Sequence, residues 1–69
     1  MAITVEKQVI NKTNKSIKCD LFADAKADVT DEAVAALFPA GYTVEQGSSV
    51  MTAGADMAFM KSDGQWNWV

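Results

Sequence analysis

Residues 57–69, MAFMKSDGQWNWV, contain the strongest local folding signal in the chain. The apolar run Met57–Met60 and the run Gln65–Trp68, in which polar and apolar residues alternate, lie on either side of Asp63-Gly64. An Asp-Gly pair between such runs is typical of a tight β-hairpin. The sequence therefore predicts an antiparallel hairpin with strands at about 57–61 and 65–69.

The register of this hairpin follows from its turn. With Asp63 and Gly64 as a two-residue turn, Lys61 lies opposite Trp66, and Phe59 lies opposite Trp68. Opposite residues of a hairpin point to the same side. Two interpretations of this heavy face are open: it packs on the core, or part of it is a subunit or ligand contact, since Trp is enriched at interfaces. The candidate interface residues are Phe59, Lys61, Trp66 and Trp68.

A second hairpin is predicted near the N-terminus, with strands at about 3–10 and 16–22. Ile17, Cys19 and Leu21 fall on one side of its second strand. If Val9 shares that side with Ile17, the loop must hold an odd number of residues. The loop Lys12–Asn14 satisfies this condition, with Asn14 in the left-handed conformation.

One short helix is predicted at about 31–38. Thr30 can cap its N-terminus, two acidic residues follow in the first turn, and Pro39 ends it. Its buried stripe consists of Val34, Leu37 and Phe38. Residues 23–29, in contrast, alternate as an extended edge or a loop would. Together these elements predict a single β-rich α+β domain over residues 1–69.

A chain of 69 residues forms only a small core, which disulfides, metals or association with other subunits usually supplement. Cys19 is the single cysteine, so no disulfide can form within the chain, and a chain with no histidine makes a Cys/His metal site implausible. Association remains, and we expect a homo-oligomer. Residues 1–10 lack the features of a secretory signal, and no apolar run has the ~20 residues needed to cross a bilayer. We therefore expect synthesis in the cytoplasm and no membrane partner.

The charges are unevenly distributed along the chain. Residues 1–18 contain four lysines and one acidic residue, whereas residues 19–56 contain seven acidic residues and one lysine. This segregation reflects either ordinary solvated faces or a bipolar surface that binds copies of the chain head to tail. The net charge is −3 and every cation is a lysine. The absence of arginine argues against a nucleic-acid partner.

Catalysis is not expected from this sequence. It contains no histidine or arginine, no glycine-rich phosphate loop, and no Ser or Cys with a plausible base partner. Cys19 falls on the apolar side of its strand, where an inert thiol is typical. The acidic residues between 20 and 32 do not have the spacing of a calcium loop. We expect no cofactor and no metal.

Three short segments in the last third resemble a known pattern: Gly47-Ser48-Ser49-Val50, Met57-Ala58-Phe59-Met60 and Asp63-Gly64-Gln65-Trp66. Together they resemble the C-terminal Gly-Ser-x-Ala and Asp-Gly-x-Trp hairpin of small phage-encoded, virion-associated proteins. The resemblance covers nothing before Gly47. Val50 stands where Ala is usual and Phe59 where Tyr is usual.

The resemblance implies a structural component of a phage particle, such as a capsid decoration, cement, or fibre- or tail-associated protein. Its partners are then other virion proteins or copies of itself, and its location is the virion. An alternative is a small acidic module that modulates a host protein through the stretch Asp20–Glu32. A third hypothesis is a carbohydrate-binding module in which Trp66 and Trp68 form a stacking platform.

Overall fold

A computed structural model of the chain describes residues 3–69. Its backbone forms one mixed sheet of six strands, with a helix of little more than one turn and a 3₁₀ turn at Lys26–Asp28. The elements along the chain are β1 (Ile3–Asn11), β2 (Ser16–Ala23), α1 (Asp31–Ala35), β3 (Thr43–Val44), β4 (Ser49–Thr52), β5 (Met57–Met60) and β6 (Trp66–Trp68). The β-rich class with one short helix is confirmed.

The sheet order is β1-β2-β4-β5-β6, and β3 pairs with the start of β2. Two antiparallel units, β1–β2 and β4–β5–β6, meet where β2 and β4 run parallel. Parallel neighbours require a long crossover connection. Here the crossover is the stretch between Ala23 and Ser49, which contains α1. The predicted hairpins are therefore parts of one sheet.

The crossover helix covers one face of the sheet. Thr30 caps it, and its hydroxyl oxygen accepts a hydrogen bond of 3.1 Å from the Ala33 amide, as predicted. The helix ends at Ala35 instead of residue 38, and a turn closed by the 3.1 Å bond from the Leu37 amide to the Val34 carbonyl continues it. Pro39 follows too soon for another helical turn. The core beneath consists of Ile17, Cys19, Leu21, Ala23, Val34, Val50 and Ala58.

The β1–β2 hairpin forms, but its predicted register is wrong near the turn. Asn11 pairs with Ser16, so the loop holds four residues instead of three, and Lys15 rather than Asn14 has a positive φ, of 51°. This shift pairs Val9 with Lys18 and turns Val9 away from Ile17, to the uncovered side of the sheet. Val9 is 66% exposed.

A β-bulge between Val5 and Lys7 corrects the register farther from the turn. One extra residue on β1 exchanges the two faces of that strand. Ile3 and Val5 consequently pack against the core, as their alternation predicts, while Lys7 faces the opposite side. The bulge also disturbs the hydrogen-bonding edge of β1, which protects an exposed edge strand from further pairing.

The C-terminal hairpin also differs from its predicted register by one residue. Met60 lies opposite Trp66, and Phe59 lies opposite Asn67. The loop has three residues, Ser62–Gly64, and Gly64 adopts a φ of 78°. Glycine is favoured in that left-handed conformation, which both the two-residue and the three-residue loop use. The predicted pairing of Lys61 with Trp66 and of Phe59 with Trp68 is therefore wrong.

Ser48 joins β2 to the start of β4 inside the core. Its side chain is fully buried, and its hydroxyl oxygen accepts a hydrogen bond of 3.0 Å from the Cys19 amide. We expect Ser48→Ala to lower the free energy of unfolding by about 1–3 kcal/mol, because a buried amide loses its partner. The measurement is urea unfolding followed by circular dichroism.

The neighbouring serine provides a matched control. The Ser49 hydroxyl donates a 2.8 Å hydrogen bond to Asp20 at an exposed site, where water can replace it. We expect Ser49→Ala to cost less than about 1 kcal/mol. Equal losses at the two positions contradict the role given to Ser48.

Candidate interaction surface

The side of the sheet opposite α1 carries no helix or strand over it among residues 3–69. We call this side the open face. Strand alternation and the pairing register assign its residues. Its apolar members are Val9, Phe22, Met51, Met57 and Phe59, and its polar members are Thr4, Lys7, Asn11, Ser16, Lys18, Asp20, Ser49 and Asn67.

Four of the apolar members, all except Val9, are neighbours on the three strands β2, β4 and β5. Phe22 pairs with Met51, and Met51 pairs with Met57, so the three form one row across β2, β4 and β5. Phe59 lies two residues along β5 from Met57, on the same side. Met51 is 44% exposed. Large contiguous apolar patches on the surface of a small protein mark sites of interaction.

The polar members surround this row toward the β1–β2 turn. A shallow depression of about 250 Å³ is lined by Lys7, Val9, Lys18, Cys19 and Asp20. The Asp20 carboxylate accepts the hydrogen bond from Ser49 described above. The open face thus combines an apolar row with a depression that has two lysines at its rim.

The two tryptophans lie on the opposite side, against the core. Trp66 and Trp68 are half-buried and pack on the cluster that α1 covers. The Lys26 ammonium lies 5.3 Å from the ring centroid of Trp68 and 3.9 Å from the Asp56 carboxylate. A cation over an indole ring is attractive, so these contacts tie the 3₁₀ turn to β6.

A second concavity lies on the helix side. It has a volume of about 370 Å³, and its lining includes Phe38, Tyr42 and Trp66 together with Asp31. The apolar part of this groove continues the core between α1 and the β5–β6 hairpin. One side of the Trp66 ring lines this groove, so the ring stays partly accessible.

The four predicted interface residues do not share one face. Trp66 and Trp68 pack on the helix side, Phe59 lies on the open face, and Lys61 follows β5 as an exposed residue. The residues that sequence reasoning missed are Phe22, Met51, Met57 and Val9. The sequence contains a signal for two of them: Phe22 follows the apolar Leu21, and Met51 follows the apolar Val50. Strands with apolar residues on both of their faces are typical of sheets that are covered on both sides.

The acidic stretch Asp20–Glu32 does not form a continuous surface in the fold. Asp20 points to the open face. Asp24 precedes the 3₁₀ turn, Asp28 is its last residue, and Asp31 and Glu32 occupy the first turn of α1. Acidic side chains at a helix N-terminus stabilise it through the helix dipole. Part of this charge therefore has a role within the fold.

Cys19 behaves as a core residue, with 2% of its surface exposed. Burial raises the pKa of its thiol above the ordinary value of 9.0; the Ser48 hydroxyl opposes this shift and the Asp20 charge adds to it. The unfolded chain then ionises first, so the stability that depends on the neutral thiol is complete below pH 9.0 and is lost as the pH rises toward the folded-state pKa.

We therefore expect the free energy of unfolding to fall in alkaline solution more steeply for the natural chain than for Cys19→Ala. The measurement is urea unfolding as a function of pH for both proteins. The two chains differ only at residue 19, so the difference between their pH profiles reports the thiol. Parallel pH profiles would show that the thiol is not held neutral by the fold.

No protein-family model, curated protein or solved structure matches the chain. Within residues 3–69, the helices are too short and too polar to cross a membrane.

Proposed function

We propose that the chain is a non-catalytic structural component of a phage particle or a related assembly, such as a capsid decoration, cement, or fibre- or tail-associated protein. The observation that carries this proposal is the open face, where Phe22, Met51 and Met57 form an apolar row with no covering element in the described chain. The resemblance of residues 47–66 to virion-associated proteins supplies the kind of assembly.

The size of the domain supports association as its role. A two-layer fold of this length buries a modest core. On the open face Met51 is exposed and Phe22, Met57 and Phe59 are half-buried, so a surface that covers them removes further apolar area from water. Each Å² of apolar surface that a partner covers on Phe22, Met51, Met57 and Phe59 contributes about 25 cal/mol of favourable free energy. A particle with many copies of a partner offers such a surface.

The test is incorporation into particles in the host cytoplasm, where the chain is made. We expect the natural chain to appear in purified particles by mass spectrometry and Met51→Lys to be absent, because a lysine in the apolar row must be desolvated on contact. Ile10→Lys is the matched control. Ile10 is 41% exposed, close to the 44% of Met51, but lies on the other side of the sheet.

Two results would count against the proposal. If both variants are absent from particles, or if both are present, incorporation does not depend on the open face. A chain that never enters particles but is retained from host lysate on a protein, in a salt-sensitive way, supports the alternative of a host-modulating module. Circular dichroism of the purified variants confirms that each one is folded.

A further inference from the structure

The charges of the molecule are separated along the strand direction. The end with the β1–β2 and β5–β6 turns, the lysine end, has four lysines and three carboxylates: Lys12, Lys15, Lys18, Lys61, Asp31, Glu45 and Asp63. The end where β2 finishes and β4 turns into β5, the acidic end, has three carboxylates and one lysine: Asp24, Asp28, Asp56 and Lys26. The two ends thus carry opposite net charge.

We propose that the open face binds the open face of a second copy, with the strands of the two copies antiparallel. This inference rests on the proposed function and names the first partner of the same surface. The two copies are related by a two-fold axis that lies between the sheets and crosses the strands. Two-fold dimers are the commonest soluble oligomers, and each contact in them is made twice.

Charge decides between the two ways of stacking the sheets. With the strands parallel, the lysine end of one copy lies over the lysine end of the other. With the strands antiparallel, each lysine end lies over an acidic end. An axis that crosses β2 between Asp20 and Phe22 places Lys18 of one copy opposite Asp24 of the other, and both residues are exposed in the single chain.

The apolar row lies near this axis and is covered in the dimer. Packed sheets are about 10 Å apart, so side chains from both copies interdigitate. β1 and β2 have nine and eight residues, and β4, β5 and β6 have four, four and three. At about 3.3 Å per residue and a strand spacing of about 4.8 Å, the flat area of the face is about half of the ~800 Å² that each partner contributes to a specific interface. Phe22, Met51, Met57 and Phe59 supply the apolar centre.

Asp20 is the carboxylate in the middle of this face. Its charge is not left isolated, because Ser49 donates to it at 2.8 Å and Lys7 is its partner in register on β1. A buried carboxylate with a hydrogen bond and a neighbouring cation is far less costly than an unpaired one. The polar part of the open face is thus compatible with burial.

The test is the dissociation constant of the dimer from sedimentation equilibrium. We expect Lys18→Asp and Asp24→Lys each to weaken the homodimer at least about tenfold, because two like-charge pairs replace two opposite ones. The double variant Lys18→Asp/Asp24→Lys restores the opposite pairs. An equimolar mixture of the two single variants restores them too, in a heterodimer.

This design identifies the occupant of the face. If the partner is a different protein with acidic groups over Lys18, exchanging the charges at positions 18 and 24 does not restore its affinity. Only self-association predicts that the double variant binds again. A natural chain that stays monomeric, or dimers that the exchange does not rescue, overturns the inference. A monomeric chain that still enters particles through Met51 leaves the proposed function standing, whereas a dimer absent from particles overturns the proposed function alone.

Discussion

Val50→Ala lowers the free energy of unfolding by about 2–3 kcal/mol, whereas Val9→Ala changes it by less than about 0.5 kcal/mol. The substitution is the same at both positions, but the surroundings differ. Val50 is fully buried between β2 and β5, so removal of two carbons loses transfer free energy and leaves a cavity. Val9 is 66% exposed on the open face.

This difference is large for so short a chain. The total stability expected for 69 residues is on the order of 3–10 kcal/mol, so the Val50 change removes a substantial part of it. Urea unfolding of the two variants at a concentration where the natural chain is monomeric gives the comparison. If Val9→Ala proves the more costly, Val9 belongs to the core with Ile17, as the alternation of β1 alone predicts.

The Val9 comparison illustrates what the sequence of β1 and β2 can and cannot specify. Alternation correctly predicts both strands and the buried side of β2, because Ile17, Cys19 and Leu21 recur at every second position. It does not reveal the bulge after Val5. Glu6 is an ordinary polar residue of a strand, and nothing in its identity indicates that the faces of β1 exchange there.

The C-terminal hairpin has a related ambiguity. Asp-Gly specifies a glycine in the left-handed conformation, and Gly64 adopts it. Loops of two and of three residues both satisfy that requirement, yet they place Trp66 and Trp68 on opposite sides of the sheet. Tertiary packing selects the longer loop, because it puts both indoles against the core under α1. That information is not local.

The open face cannot be predicted from the separate strands, because it depends on which strands are neighbours in the sheet. Phe22 and Met51 are far apart in sequence and meet because β2 and β4 are parallel neighbours, a pairing that two separate hairpins do not suggest. The helix needed no such context, since Thr30 and the acidic first turn specify its start. Its end comes earlier than predicted because the Pro39 ring clashes with a helical carbonyl four residues before it, at Ala35, and disfavours the helical conformation of Phe38.

Trp66→Ala is expected to cost about 2 kcal/mol of stability, roughly half the loss for a fully buried tryptophan, and to leave association unchanged. Trp66 is half-buried, pairs with Met60, and lines the groove next to Phe38. Met51→Lys is expected to do the reverse, with stability within about 0.5 kcal/mol of the natural chain and association lost.

The two variants therefore separate packing from binding. Stability comes from urea unfolding followed by circular dichroism, since removal of an indole alters the fluorescence signal itself. Association is measured below the unfolding transition of Trp66→Ala, so that the compared chains are folded. A folded Trp66→Ala chain that fails to associate would identify the tryptophan side as the contact surface. A Trp66→Ala chain as stable as the natural one would show that the indole does not contribute to the core against which it packs.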